Sequence, residues 1–135
     1  MGNIHKGSTT GDQGVLLQME RFTATGENDR IRDKWILVYG AIERCNDVLR
    51  ILNENEISDL TEADKIEIIA EIRFLRGYYH FEAKKIWNMV PYIDETVTDP
   101  QRRVANDKDI WPDIEADFTY SISNLPNDQE EPGRP

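Results

Sequence analysis

The sequence has a single cysteine, two histidines and no long apolar run. One cysteine cannot close a disulfide within the chain, so packing alone must hold the fold. No apolar stretch reaches the roughly 18–20 residues that a membrane-spanning helix needs. His5, Cys45 and His80 are not spaced as metal ligands, and the sequence contains neither a phosphate-binding loop nor a nucleophilic-serine motif. These absences remove most simple enzyme and metal-site assignments.

Basic residues are also scarce: 16 Lys and Arg stand against 26 Asp and Glu, for a net charge of −10. Because nucleic acids and anionic lipids require basic surface, the charge disfavours both as partners. Residues 91–135 carry 11 acidic and 4 basic side chains, so most of the negative charge lies there. Twelve aromatic residues in a chain of 135 argue against disorder and indicate one globular domain.

The two ends differ from the middle of the chain. Residues 1–28 are rich in Gly and Thr, show no signal-peptide pattern and predict an irregular segment. Residues 29–126 predict a helical region, and residues 127–135 predict an exposed proline-rich tail. A chain that ends on Pro-Gly-Arg-Pro soon after a helix is expected to be part of a longer protein.

Three long segments have helical periodicity. The first runs from Ile31 to Leu52, with Asp29 as the expected N-cap and Trp35 and Cys45 on its apolar stripe. The second runs from Thr61 to about Asn88, and its Thr61 hydroxyl is expected to cap the first turn. The third begins near Asp107 or Asp109 and ends at about Asn124. Its expected buried stripe is Ile110, Ile114, Phe118, Ile122 and Leu125.

The second helix is apolar on two sides, because Phe74, Tyr78 and Phe81 project away from its main stripe. Such a helix must pack against neighbours on both sides. Long helices with an apolar face left over predict an all-α fold and are typical of a unit of an α-solenoid, although the sequence shows no clear internal repeat. In a fragment of a larger protein, the Phe74, Tyr78 and Phe81 face is expected to be uncovered.

Candidate chemistry is weak at every position. The acidic cluster Asp107, Asp109, Asp113, Glu115 and Asp117 could bind calcium, but a solvated acidic helix face is favoured. Cys45 is expected in the core, and Glu43 and Asp47 are expected in solvent. A small helical enzyme would have to use Glu43, Asp47 or His80.

Aromatic and arginine side chains leave further alternatives open. Trp87, Tyr92 and Trp111 fall at helix ends or in a long loop, where they could stack on sugars, although packing beneath loops is favoured. Arg73 and Arg76 could bind an anion, but pairing with the excess carboxylates is preferred.

Three stretches together resemble the SusD/RagB family of outer-membrane nutrient-binding lipoproteins. The first stretch contains Trp35, Tyr39, Ile42, Cys45, Asn46, Leu49 and Leu52. The second is residues 70–95, and its matching positions are Arg73, Phe74, Leu75, Arg76, Tyr79, Val90 and Pro91. The third contains Arg103 and Val104, followed by Ile110, Ile114, Asp117, Ile122, Leu125 and Pro126. The sequence departs from the family pattern at Gly77, where Ala is usual, and at Asn88, where Gly is frequent.

The resemblance implies an all-α fold of tetratricopeptide-like helical hairpins (an α-solenoid), as a fragment of a larger SusD-like protein. It also implies a non-enzymatic protein that binds an oligosaccharide or glycan and works with a SusC-like TonB-dependent transporter. The expected location is the outer membrane, as an outward-facing lipoprotein, although the chain contains no lipobox cysteine. No catalytic, metal, cofactor or ligand-binding residue is carried over, because the matched positions are scaffold positions. The alternative is a free-standing tetratricopeptide-like module that binds another protein.

Overall fold

The computed structural model describes residues 14–55, 57–99 and 101–126, and these contain four α-helices and no strand. The helices are α1 (Gly14–Glu20), α2 (Asp29–Glu54), α3 (Glu62–Trp87) and α4 (Trp111–Asn124). The predicted all-α class is confirmed, whereas stacking of hairpins into a solenoid stays a prediction. The described helices are all too short or too polar to cross a bilayer. The predicted tail, residues 127–135, lies outside the described ranges.

The chain divides into two compact units, residues 1–37 and 38–135. In the first unit, α1 is a short helix within a stretch that the sequence predicts to be irregular. The Asn28 amide nitrogen donates hydrogen bonds to the Val15 carbonyl and the Gln18 side chain, both at 2.9 Å. Its oxygen accepts from the Arg30 backbone N–H at 3.1 Å.

Asn28 is therefore the N-cap of α2, and the prediction of Asp29 is wrong by one residue. An asparagine amide donates and accepts at once, so it can hold α1 and cap α2 together, which a carboxylate cannot do. Trp35 is also misplaced on the buried stripe, because it is partly exposed and full burial in α2 begins at Val38.

Both ends of α3 follow from local sequence. The Thr61 hydroxyl accepts from the Asp64 N–H at 3.1 Å, and the Asp64 carboxylate accepts from the Thr61 N–H at 3.3 Å. This capping box confirms the predicted start. At the other end Asn88 has φ of 60° and donates its N–H to the Lys84 carbonyl at 2.8 Å. Asparagine adopts a positive φ more often than most residues other than glycine, and the helix ends where predicted.

The apolar core of the second unit confirms that α3 packs on two sides. On one side its Ala83 belongs to a fully buried cluster with residues of α2, α4 and the chain between α3 and α4: Val38, Ile42, Val90, Ile110 and Ile114. On the other side Phe74 packs against Phe118 at 5.7 Å between ring centroids, and Phe81 packs against Trp111 at 5.8 Å. The expectation of an uncovered face is wrong for Phe74 and Phe81, because α4 covers them. Tyr78 is the one member of that set that remains exposed, with 43% of its surface accessible.

The buried side of α4 is rotated from the predicted stripe. Ile122 is 82% exposed, while Ile114, Asp117 and Ser121 are buried. The Ser121 hydroxyl donates to the Ala70 carbonyl of α3 at 2.7 Å, so a polar residue stands where an apolar one was expected. The helix also begins later than predicted, at Trp111, whose N–H donates to the Asp109 carboxylate at 3.0 Å.

Gly77 explains how closely α3 and α4 approach. A Cβ atom at this position would lie 3.1 Å from the Asp117 Cβ and 3.2 Å from a ring carbon of Phe118. These distances are tighter than ordinary van der Waals contact, so α4 lies directly over bare backbone. The glycine departs from the family pattern and costs helix propensity, but the close approach uses the space that a side chain would fill.

Candidate functional site

The best-defined constellation of polar residues surrounds residues 91–97, which we name the strap. These residues follow α3 without regular secondary structure, and side chains from three helices hydrogen-bond to them. From α2, Tyr39 donates to the Pro91 carbonyl at 2.9 Å and Asn46 donates to the Ile93 carbonyl at 3.1 Å. From the same helix, Arg50 donates to the Glu95 and Val97 carbonyls at 3.5 and 3.4 Å.

Helices α3 and α4 hold the same segment from the other directions. The Ile93 N–H donates to His80 Nε2 at 3.1 Å, and Arg76 forms an ion pair with the Glu95 carboxylate. The Tyr92 hydroxyl donates to the Asp117 carboxylate at 2.7 Å. Backbone groups that lack a helix or sheet partner are therefore satisfied by side chains, which buried backbone requires.

Asp117 and Arg76 form the centre of this cluster, and both are buried. The Arg76 guanidinium donates from Nε and Nη2 to the two carboxylate oxygens, at 2.9 and 2.7 Å, in a bidentate pair. Arg73 Nε adds a third bond to Asp117 at 2.9 Å. Asn46 accepts from Arg76 Nη1 at 3.2 Å, so it links the ion pair to the strap. The prediction that Arg73 and Arg76 pair with carboxylates is confirmed.

The electrostatics of the centre follow from these contacts. Burial alone would raise the pKa of Asp117, but the hydrogen bonds and charge of Arg76, with Tyr92 and Arg73, hold that pKa below its usual range. Burial opposes the charge of Arg76, yet Asp117 raises the pKa of the guanidinium. Burial also raises the pKa of the Tyr92 and Tyr39 hydroxyls, which stay protonated donors. The pair is ionised and its hydrogen-bonding groups are engaged. The pair and the other helix side chains that bond to the strap therefore act together as a structural element, which we name the clamp.

The predicted acidic face is therefore only partly correct. The exposed Asp109 binds the buried Lys84 Nζ at 2.8 Å, and Asp113 binds Lys108 Nζ at 3.3 Å near the surface. Asp117 does not belong to a solvated face, because it is fully buried and shared between two arginines. Within the ranges that the structure describes, no three carboxylate, histidine or cysteine side chains are grouped to hold a metal ion.

The other candidate catalytic side chains lie in different environments, some exposed and some buried. Glu43 and Asp47 are exposed and both bind Arg50, at 2.6 and 2.5 Å. Cys45 is buried as predicted, and burial raises the pKa of its thiol to about 11, which makes the thiolate scarce at neutral pH. His80 is buried in the clamp. The structure does not bring Glu43, Asp47 and His80 together in an open site.

The three loop and helix-end aromatics differ in exposure. Trp87 and Tyr92 are partly buried against the core, and the Tyr92 ring stacks on His80 at 4.4 Å between centroids. This packing beneath the connection agrees with the favoured interpretation. Trp111 is 39% exposed, with the Lys84 Nζ 5.4 Å from its ring centroid. Of these three rings, only Trp111 offers a sizeable surface to solvent.

A shallow cavity of about 240 Å³ lies at the turn between α2 and α3. Leu52, Leu60 and Lys65 are among the residues that line it. Ligand pockets usually measure about 300–1,000 Å³, and none of the candidate residues from the sequence lies here. We therefore assign no ligand to this cavity.

Comparison with known proteins identifies the family. A family model for SusD-like proteins, described as starch-binding and associating with the outer membrane, matches residues 4–135. A SusD-like protein of Bacteroides ovatus is 27% identical over an alignment of 120 positions that covers 87% of this chain and 22% of that protein. The SusD-like protein P2 of Formosa agariphila is 27% identical over an alignment of 127 positions that covers 88% of this chain and 24% of that protein.

No solved structure matches the chain significantly. The chain spans less than a quarter of the length of these two curated relatives. Because the family model covers nearly all of the sequence, and not only the three stretches around the clamp, the chain belongs to the SusD-like family.

Proposed function

We propose that this chain is the helical frame of a non-enzymatic protein that binds glycan at the outer membrane. Family membership supports glycan binding, since the family is described as starch-binding and associating with the outer membrane. The observation that carries the role of frame is the clamp itself. Its residues are engaged with one another and hold the strap in place.

Six of the residues that carry the family resemblance meet in this clamp. They come from three separate stretches of sequence, and the contacts above join them: Tyr39, Asn46, Arg73, Arg76, Pro91 and Asp117. Because the residues that match the family make buried contacts, the match indicates how the frame folds. It does not indicate which sugar the protein binds. We therefore propose that the glycan-binding surface lies largely outside residues 14–126.

We further propose that the whole protein is an outward-facing lipoprotein that passes glycan to a SusC-like TonB-dependent transporter. The resemblance supports this partner and location, and the net charge of −10 fits a protein that does not bind nucleic acid. In this scheme the frame holds the binding loops in place, and the transporter supplies the passage through the membrane.

The test compares the whole gene product with the 135-residue chain. Both proteins are run in native affinity gels containing starch or another polysaccharide from a panel, with a gel lacking polysaccharide as the control. We expect at least one polysaccharide to retard the whole protein and none to retard the 135-residue chain. Retardation of the chain alone would contradict its role as frame, and failure of the whole protein across the panel would contradict glycan binding.

Location and partner are tested separately. The tagged whole protein is expressed in its own host, and outer-membrane and soluble fractions are compared before and after gentle detergent extraction. We expect it in the outer-membrane fraction, together with a TonB-dependent transporter identified by mass spectrometry. Recovery in the cytoplasmic fraction would reject the proposed location.

A tetratricopeptide-like module that binds another protein is the second candidate. Ile51, Ile57 and Ile66 favour it, because these large apolar side chains near the turn between α2 and α3 are each at least 40% exposed. Exposed apolar side chains are common at protein-binding surfaces, although single ones are ordinary. A cytoplasmic whole protein that binds no polysaccharide would favour this candidate over glycan capture.

A further inference from the structure

His80 uses both nitrogens of its ring to join α3 to the strap. Its side chain is fully buried, with Nδ1 3.0 Å from the Arg76 carbonyl and Nε2 3.1 Å from the Ile93 backbone nitrogen. A carbonyl can only accept a hydrogen bond and an amide N–H can only donate one. Nδ1 must therefore carry the proton, and Nε2 must present its lone pair. The strap requires neutral His80 in this one tautomer.

The groups around the ring come from every element packed against it. The Tyr92 ring of the strap stacks on it, and the Tyr39 ring of α2 meets it edge-on at 6.4 Å between centroids. The charged and titratable groups that influence it are Arg76 of α3, Asp117 of α4 and Asp94 of the strap.

These charges are already engaged. Asp117 binds Arg76, Arg73 and Tyr92, and Asp94 accepts from the Thr96 N–H at 3.0 Å. Glu95 binds Arg76, and the buried Cys45 thiol stays protonated. A proton added at Nε2 would therefore face the Ile93 N–H, donor against donor, in a place without solvent.

We propose that the strap is an acid-sensitive latch, in which protonation of His80 Nε2 removes the acceptor for the Ile93 N–H and releases the strap from the helices. The helices themselves stay folded, because the Arg76–Asp117 pair persists when His80 gains its proton. This device concerns conformation, and it holds whether or not the whole protein binds glycan.

The pH window follows from the two states of the latch. In the closed state burial lowers the pKa of His80 to about 4, with the Asp117 and Asp94 charges opposing the shift. In the released state the ring is solvated, with an ordinary pKa of about 6.5. The released state therefore binds more protons between these values, and its population rises about tenfold per pH unit as pH falls through this window. The lowered pKa of Asp117 confines its own titration to more acidic solutions.

Amide hydrogen exchange measured by NMR tests the latch. The protection of the Ile93 amide, corrected for the intrinsic effect of pH, is compared between about pH 7.5 and pH 5 with that of α3 amides around Ala70. We expect Ile93 to lose protection about tenfold per unit below about pH 6.5. The α3 amides should remain better protected than Ile93 at every pH. Equal protection of Ile93 and α3 amides across the range would mean opening of the whole unit and would overturn the latch.

A matched variant isolates the proton. His80→Gln keeps an acceptor near the Ile93 N–H but cannot titrate, so its Ile93 protection should not change with pH over the same range. A pH dependence equal to that of the wild type would overturn the proposal. If the variant does not fold, the wild-type imidazole answers the question through its nitrogen chemical shifts. These shifts should show the Nδ1–H tautomer at neutral pH. If the ring titrates near pH 6.5 while the Ile93 amide keeps its full protection, the latch is contradicted.

Discussion

The chain between α3 and α4 has two halves that differ in how they are held. Residues 91–97, the strap, form hydrogen bonds with side chains of α2, α3 and α4. Residues 98, 99 and 101–109, which we name the open half, are mostly exposed, and Asn106 ties them to the end of α3 by an exposed bond of 3.2 Å to the Met89 carbonyl. Both halves lack regular secondary structure.

The difference shows what keeps an irregular segment in one conformation. The strap has no ladder of backbone hydrogen bonds, so side chains from the helices must supply donors and acceptors. This demand explains why Asn46, Arg76, His80 and Asp117 are polar and buried. The open half makes less demand of this kind, because its residues are mostly exposed.

The largest expected effect comes from removing the centre of the clamp. Asp117→Ala leaves Arg76 buried with only part of its charge compensated, and breaking such a pair costs about 3–5 kcal/mol of unfolding free energy. Urea denaturation followed by circular dichroism measures this loss. Asp113→Ala is the matched control on the same helix, and it should cost about 0.5 kcal/mol or less because its pair with Lys108 lies near the surface. Similar losses in the two variants would contradict the account.

The second prediction compares one asparagine in each half. Asn46→Ala removes the donor to the Ile93 carbonyl and one acceptor of Arg76, which should cost about 1–3 kcal/mol. Asn106→Ala removes an exposed bond to the Met89 carbonyl and should change stability by about 0.5 kcal/mol at most. Denaturant midpoints of both variants measure the contrast. If Asn106→Ala proved as costly as Asn46→Ala, the open half would be held as firmly as the strap.

The smallest expected effect involves two glycines, whose replacement by alanine should change the free energy of unfolding in opposite directions. Gly40→Ala in α2 meets no atom within 4 Å, so it should stabilise the protein by about 0.5–1 kcal/mol through helix propensity. Gly77→Ala gains the same propensity, but its Cβ must push against Asp117, which two arginines hold in place. Thermal unfolding should show a net loss of about 1 kcal/mol. Equal stabilisation by both substitutions would mean that α4 shifts without cost.

The parts of this fold that sequence predicts are those governed by neighbouring residues. Three such features depend only on residues a few helical turns apart. They are the capping box at Thr61, the end of α3 at Asn88 and the two-sided character of α3. The pairing of Arg73 and Arg76 was also predictable, because the chain has 26 acidic against 16 basic side chains and so offers carboxylate partners in excess.

The remaining features depend on distant contacts. Stripes through Phe118 and Ile122 or through Asp117 and Ser121 both have helical spacing, and only the position of α3 decides between them. Asp117 looked like one acid among many because its arginines lie about 40 residues earlier. Asn28 was missed as the cap because its second role, holding α1, concerns a helix too short to be recognised from its periodicity.

The most direct test of the clamp is amide hydrogen exchange near neutral pH, where His80 is neutral, across residues 90–109 of the wild type and Asp117→Ala. In the wild type we expect Ile93 to be protected to a degree that approaches the α3 amides, and the amides of residues 101–108 to exchange close to the unstructured rate. In Asp117→Ala the protection of Ile93 should collapse toward that of the open half. Equal exchange in the two halves of the wild-type protein would contradict the central claim that the buried polar clamp holds the strap.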